Sequence, residues 1–238
     1  MERQRGKMAF FLLIGLLWLG LPVSALALTF NLTQDWSDSQ NPTPTGWAYM
    51  QGTALLPHQA AFWISQPGYA WVPVNQTGHT PVWLKATADY HASGLDLNQG
   101  DVTTHGTDPY NTGGSGEGYT AWTSAYLGSV QISGKIWYAT NIDRSVDWFL
   151  YFNTTLLDSG TVHYNDGHPR SDPVLFGTFT EPLAPGDVVK FETRASSGSV
   201  AHFVGVDLTL DVAQIPLPPT AWLLGAGLVG LLGWRPRG

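Results

Sequence analysis

The sequence predicts an all-β fold, a jelly-roll-like β-sandwich, set between two apolar terminal segments. Three observations carry that expectation. Between residues 28 and 214 apolar side chains recur at every second position, and helical spacing is nearly absent. Gly, Pro, Asn and Asp cluster between the alternating runs, which gives many short strands rather than βαβ units. The chain contains no cysteine, and a stretch of this size buries about 70% of its unfolded surface without a disulfide.

Taken in order, the first strands are expected at 29–33, 47–51, 61–65, 82–90 and 120–126. Val130, Ile132, Ile136 and Tyr138 then mark a long strand, in which Gly134 signals a bulge or a close backbone approach. An aromatic-rich strand at 147–152 turns at Asn153-Thr154-Thr155 into Leu156-Leu157. Gly186-Asp187 opens the strand carrying Val189 and Phe191. The clearest strand is the last, at 202–212. There Val204, Val206, Leu208, Leu210 and Val212 point one way, and Phe203, Gly205, Asp207, Thr209 and Asp211 the other. The longest loops are expected at 67–81 and 105–118, where a sandwich builds its binding surfaces.

The two ends read as targeting segments. Arg3, Arg5 and Lys7 precede an apolar run at 8–21 and the small-x-small site Ala25-Leu26-Ala27. That pattern predicts a signal helix, a secretory signal peptide at 1–27 removed by signal peptidase. At the other end, 215–238 combines a Pro-rich stretch with an uncharged apolar run and Arg235 and Arg237. A transmembrane helix over 220–234 would span ~22 Å at ~1.5 Å per residue, short of the ~30 Å hydrocarbon core. Trp222 and Trp234 sit at interfacial positions and the arginines on the cytoplasmic side. The expected precursor is therefore exported and held in the inner membrane, at least transiently, by one short span.

Charge and motif content narrow the chemistry. The 28–214 stretch carries six Lys and Arg against 17 Asp and Glu, a net charge of −11. Such a surface repels phosphate, so nucleic acid is not an expected partner. Without cysteine there is no thiol nucleophile. Gly-x-Ser-x-Gly, phosphate-loop and His-Glu-x-x-His motifs are all missing from the sequence. Only Glu117, Glu181 and Glu192 supply glutamates to the domain. A non-catalytic role is the expectation, with a glycan-active hydrolase or a purely structural surface protein as alternatives.

Eight tryptophans fall in the domain, and exposed indole faces stack on the C–H faces of sugar rings. Trp36, Trp63 and Trp71 lie near loop-like sequence and are the candidate glycan platform. Trp122, Trp137 and Trp148 lie inside strands and belong to the core. Asp35, Asp38 and Asn41 offer three oxygens at spacing three, either a calcium-like set or an Asx-rich turn. His163, Asp166 and His168 flank strong turn chemistry. No cofactor or metal is assigned to either cluster.

One resemblance adds to this reading. Pro216, Leu217, Pro218, Pro219 and Thr220, followed by Ala221-Trp222-Leu223-Leu224-Gly225-Ala226-Gly227-Leu228 and the terminal Arg235 and Arg237, resemble the PEP-CTERM sorting signal of Gram-negative bacteria. Leu217 stands where that signature has glutamate. The resemblance implies processing by an exosortase, release to the cell surface or extracellular matrix, and association with exopolysaccharide or biofilm. Leu217-Pro218-Pro219-Thr220-Ala221 also resembles a sortase signal with alanine in place of its glycine. The domain, through Asp35-Trp36-Ser37-Asp38, Gly46-Trp47 and Phe203-Val204-Gly205-Val206-Asp207, resembles uncharacterised exported β-sandwich proteins.

Overall fold

The structure is a computed structural model that describes residues 26–75, 78–108, 116–196 and 200–215. The signal segment lies outside them except for Leu26 and Ala27. The sorting segment from Pro216 through Arg235 and Arg237, with its 220–234 span, lies outside entirely. Within the described residues, Ala27–Ala213 forms one compact unit.

The alternation in the sequence becomes strands in chain order: β1 (Ala27–Asn31), β2 (Trp47–Gln51), β3 (Ala54–Leu55), β4 (His58–Trp63), β5 (Gln66–Val72), β6 (Val82–Ala86), β7 (Val102–His105) and β8 (Gly118–Thr123). These are followed by β9 (Gly128–Tyr138), β10 (Ser145–Phe152), β11 (Thr155–His163), β12 (Val174–Leu175), β13 (Phe179–Leu183), β14 (Val188–Ala195) and β15 (Phe203–Gln214). Among the described residues they form two sheets. A nine-stranded sheet runs β12-β9-β15-β7-β6-β5-β4, with β1 beside β15 and β13 beside β9. A six-stranded sheet runs β11-β10-β14-β8-β2-β3.

The sheets face each other across one apolar layer. Val204, Val206, Leu208, Leu210 and Val212 from β15 meet Trp122, Trp148, Leu150, Val189 and Phe191 of the other sheet. The predicted alternation of β15 is thus the alternation between core and outer face. Trp122, Trp137 and Trp148 are buried at 0%, 4% and 2% exposure, as their strand positions require.

The nine-stranded sheet is also covered on its second face. Trp83 joins the inter-sheet layer, while its neighbours Val82 and Leu84 pack with Leu95, Leu97, Trp137 and Phe203 on the opposite side. A strand buried on both faces reads as a continuous apolar run, which is why Val82-Trp83-Leu84 shows no alternation. The strand ends at Ala86, and the rest of the expected 82–90 segment folds over the sheet through the Tyr90↔Leu97 bridge.

Two local expectations resolve in physical terms. Gly134 is a close approach: a Cβ there would lie 2.3 Å from the backbone oxygen of Asp207 on the neighbouring β15. Asn153 turns β10 into β11 at φ +53°, a left-handed conformation that asparagine tolerates better than most residues. Its side chain secures the corner, accepting from Val188 N at 2.9 Å and donating to Asp187 at 3.1 Å.

Candidate functional site

The outer face of the six-stranded sheet carries a lattice of rings and charges. Register sets Tyr119 of β8, Glu192 of β14 and Phe149 of β10 in one row across the sheet. Ala121, Lys190 and Tyr151 form the next row, and Arg194 and Asp147 pair on the other side. Period-two geometry explains why all of these leave the core: Trp122, Trp148, Leu150, Val189 and Phe191 take the alternate, inward positions. With strands about 4.8 Å apart, Tyr119 and Phe149 stand about 10 Å from each other.

Contacts between the rows fix the side chains. Lys190 Nζ lies 4.3 Å from the Tyr151 ring centroid and 5.2 Å from that of Tyr119. The Arg194 guanidinium lies 4.8 Å over Phe149, and Phe149 and Tyr151 stack at 6.3 Å. Lys190 donates to Glu192 at 2.7 Å, and Arg194 also donates to Glu192. The Glu192 side chain is 4% exposed, Lys190 27% and Arg194 43%. One buried carboxylate therefore anchors two cations that brace three rings.

The electrostatics follow from that geometry. Burial raises the Tyr119 pKa, and the Glu192 charge adds to the rise. Burial also raises the Glu117 pKa, an effect opposed by Arg194 and reinforced by Glu192. For Arg194 burial works against the charge, but the hydrogen bond and field of Glu192 outweigh it and raise its pKa.

The tryptophans proposed as a platform fall elsewhere. Trp71 lies in β5, not in a loop, and is 5% exposed with its indole N–H donating to Ser37 O at 2.9 Å. The expected 67–81 loop is in part this strand. Pro67 and Gly68, inside that expected loop, are paired ladder positions. Gly68 is there because a Cβ would come within 2.5 Å of Lys85 O on β6. Trp63, at 6% exposure, donates to His79 O at 3.1 Å and sets its ring edge-on to Phe203 at 5.0 Å. Neither indole has a free face for stacking. Trp36 is half-buried, rests on Tyr49 at 4.6 Å, and forms a wall of a cleft of about 290 Å³.

The polar clusters are committed to the chain itself. Asp35 accepts from Asn31 N and Trp47 Nε1. Asn41 donates to Tyr49 O and Leu56 O and accepts from Tyr49 N. Apart from the Asn31 bond, these contacts reach eight to fifteen residues along the chain and tie this segment to β2 and Leu56. His163 accepts from Asn165 N at 3.0 Å and faces Asp143 at 3.1 Å, while the His168 ring lies 3.3 Å from Asp172 O.

Tyr119, Phe149 and Tyr151 were not among the residues picked out by loop position. Their signal was nonetheless present in Trp148-Phe149-Leu150-Tyr151-Phe152. A strand with aromatics at both parities must send some of them away from the core.

No family model matches the chain, and no curated protein matches it. Among solved structures it is similar to the xylan-binding CBM22-1 domain of Paenibacillus barcinonensis Xyn10C, at a TM-score of 0.38 and 8% identity, covering 82% of this chain and 100% of that one. It is similar as well to the K3 cleaved adhesin domain of Lys-gingipain from Porphyromonas gingivalis, at a TM-score of 0.36 and 11% identity, covering 71% and 93%. A CBM4 structure aligns at a TM-score of 0.25 and 15% identity, covering 59% and 92%. Likeness at this level assigns no ligand.

Proposed function

We propose that this chain is an exported cell-surface or extracellular-matrix protein whose β-sandwich binds polysaccharide without cleaving it. The observation that carries the reading is the outer face of the six-stranded sheet, where Tyr119, Phe149 and Tyr151 stand interleaved with Lys190 and Arg194. Aromatic rings offer stacking surface to sugar C–H faces, and the cations supply donors for hydroxyls. Because Glu192 fixes both cations in the free protein, little side-chain freedom remains to be lost on binding. The terminal signals support export, cleavage after Ala27 and exosortase-type processing near Pro216 to Thr220, with the inner membrane as a transient station.

A hydrolase is the second reading, favoured by the closeness of Glu117 to Glu192. Strand pairing sets Thr193 opposite Gly118 and Glu192 opposite Tyr119, so Glu117, one residue before β8, lies diagonal to Glu192. Sugar hydrolysis needs two accessible carboxyl groups flanking the scissile bond. Glu192 is 4% exposed and held beneath Lys190 and Arg194, which bars it from an anomeric carbon. Binding without turnover is therefore the better reading.

A glycan array followed by turnover assays on each hit separates these classes. Retention of an oligosaccharide with no release of reducing ends supports binding, and release of reducing ends supports the hydrolase. Silence in both favours a structural protein. Tyr151→Ala should weaken any retained ligand by about 0.5–1.5 kcal/mol, the range of a single aromatic contact. Unchanged affinity in that variant removes the sheet face from the argument.

A further inference from the structure

A second concavity lies on a different part of the sandwich. Trp36, Asp38, Tyr69, Lys85 and Gln99 line the cleft of about 290 Å³. It continues past Gly100, shared by both, into another of about 270 Å³ bordered by Gln34, Asp101, Lys135, Trp137 and Arg170. Trp36 packs on Tyr49, whose side chain enters the core from β2. The rings of the sheet face leave that same sheet on its outer side, so the two surfaces do not merge.

The groove has the composition of a sugar site. Tyr69 is 38% exposed and shares the cleft with the half-buried Trp36, which gives it two aromatic walls. Lys85 Nζ donates to Thr33 O at 2.7 Å, leaving further ammonium protons for a ligand. Gln99 and Asp38 are exposed at the mouth.

Charge in the groove is balanced pair by pair. Burial lowers the Lys85 pKa, and the Asp38 charge lining the same cleft opposes that shift. Arg170 pairs with Asp101 and lies 3.7 Å from Asp96, while Lys135 lies 3.9 Å from Asp207. An acidic polymer would meet no surplus positive charge here. Hydroxyl-rich, uncharged rings can use these paired groups as donors and acceptors without displacing an ion.

We propose that this groove is a second, separate binding site for a neutral oligosaccharide, so that one chain holds two polysaccharide strands and cross-links them. The cross-linking, though not the groove site itself, rests on the sheet-face reading above. Two weak sites on one domain also raise avidity for a polymer without any new contact.

Calorimetric titration of the purified full chain with cellohexaose, xylohexaose and oligogalacturonate tests the inference. Two hexasaccharides per chain are expected for at least one neutral probe, with oligogalacturonate bound at least tenfold more weakly. Tyr69→Ala should leave one site and Tyr151→Ala the other. Because Tyr69 is 38% exposed, a melting curve should show the Tyr69→Ala fold intact. A single site lost in Tyr151→Ala and untouched in Tyr69→Ala overturns the groove while sparing the sheet face. A single site lost only in Tyr69→Ala sinks the sheet face and the cross-linking and keeps the groove. No binding of either neutral probe, or preference for oligogalacturonate, overturns the inference.

Discussion

Acidification should destabilise this fold through His105, and the size of the effect can be worked from the structure. His105 is 7% exposed at the wall of a cavity of about 180 Å³ that also touches Trp63, Arg144, His202 and Phe203. Burial lowers its pKa to about 4, the Gly106 carbonyl and Asp108 pull upward, and His202 and Arg144 push further down. The ordinary imidazole value of about 6.5 applies once the chain unfolds. Above pH ~6.5 neither state is protonated and the group contributes nothing. Below it the unfolded chain takes up a proton that the folded one refuses, so stability falls until the folded pKa is reached near pH 4. A gap of about 2.5 units at ~1.36 kcal/mol each gives a loss of about 3 kcal/mol between those limits. For a domain of this size that is ~6–12 °C of melting temperature, at ~2–4 °C per kcal/mol. The assay is thermal melting from pH 7 to 4 for the wild type and His105→Gln, taking the difference in slope so that carboxylate titrations cancel. His202, whose pKa burial also lowers, should preserve part of the slope in the variant. Identical slopes in the two proteins would refute the account of a neutral, desolvated imidazole.

Other substitutions probe the remaining structure. Trp71→Ala should cost roughly 3–5 kcal/mol of stability, because the ring is core and its N–H holds Ser37 O; a melt within a degree of wild type would contradict this. Gly134→Ala should cost about 1–3 kcal/mol through overpacking against Asp207 O on β15, as read by urea unfolding. Glu192→Gln should release Lys190 and Arg194 from their anchor and weaken glycan retention even though the three rings remain; full retention would show that the anchor is irrelevant. N-terminal sequencing and intact mass of the exported protein should show Leu28 first and the tail after Pro216 to Thr220 missing. Full-length protein outside the membrane would count against processing.

Much of the sandwich was legible because strand periodicity is local. The alternation of Val204 to Val212 is enough to place β15 and say which face is buried, and Asn153 marks its turn by its own backbone tolerance. The charge balance and the missing motifs likewise need no coordinates. Trp71 failed for a physical reason: Pro67 and Gly68 are turn residues by composition, yet Gly68 serves to let the β6 backbone approach. Whether a glycine makes a turn or a close contact depends on what lies beside it, and that neighbour is distant in sequence. The same limit hid the sheet face. Tyr119, Phe149, Lys190, Glu192 and Arg194 come from three strands, and only antiparallel register sets them in adjoining rows. Sequence by itself determined which residues could alternate between core and surface. Tertiary structure decided which surface residues became neighbours, because register and sheet order are set by long-range pairing that no local pattern encodes.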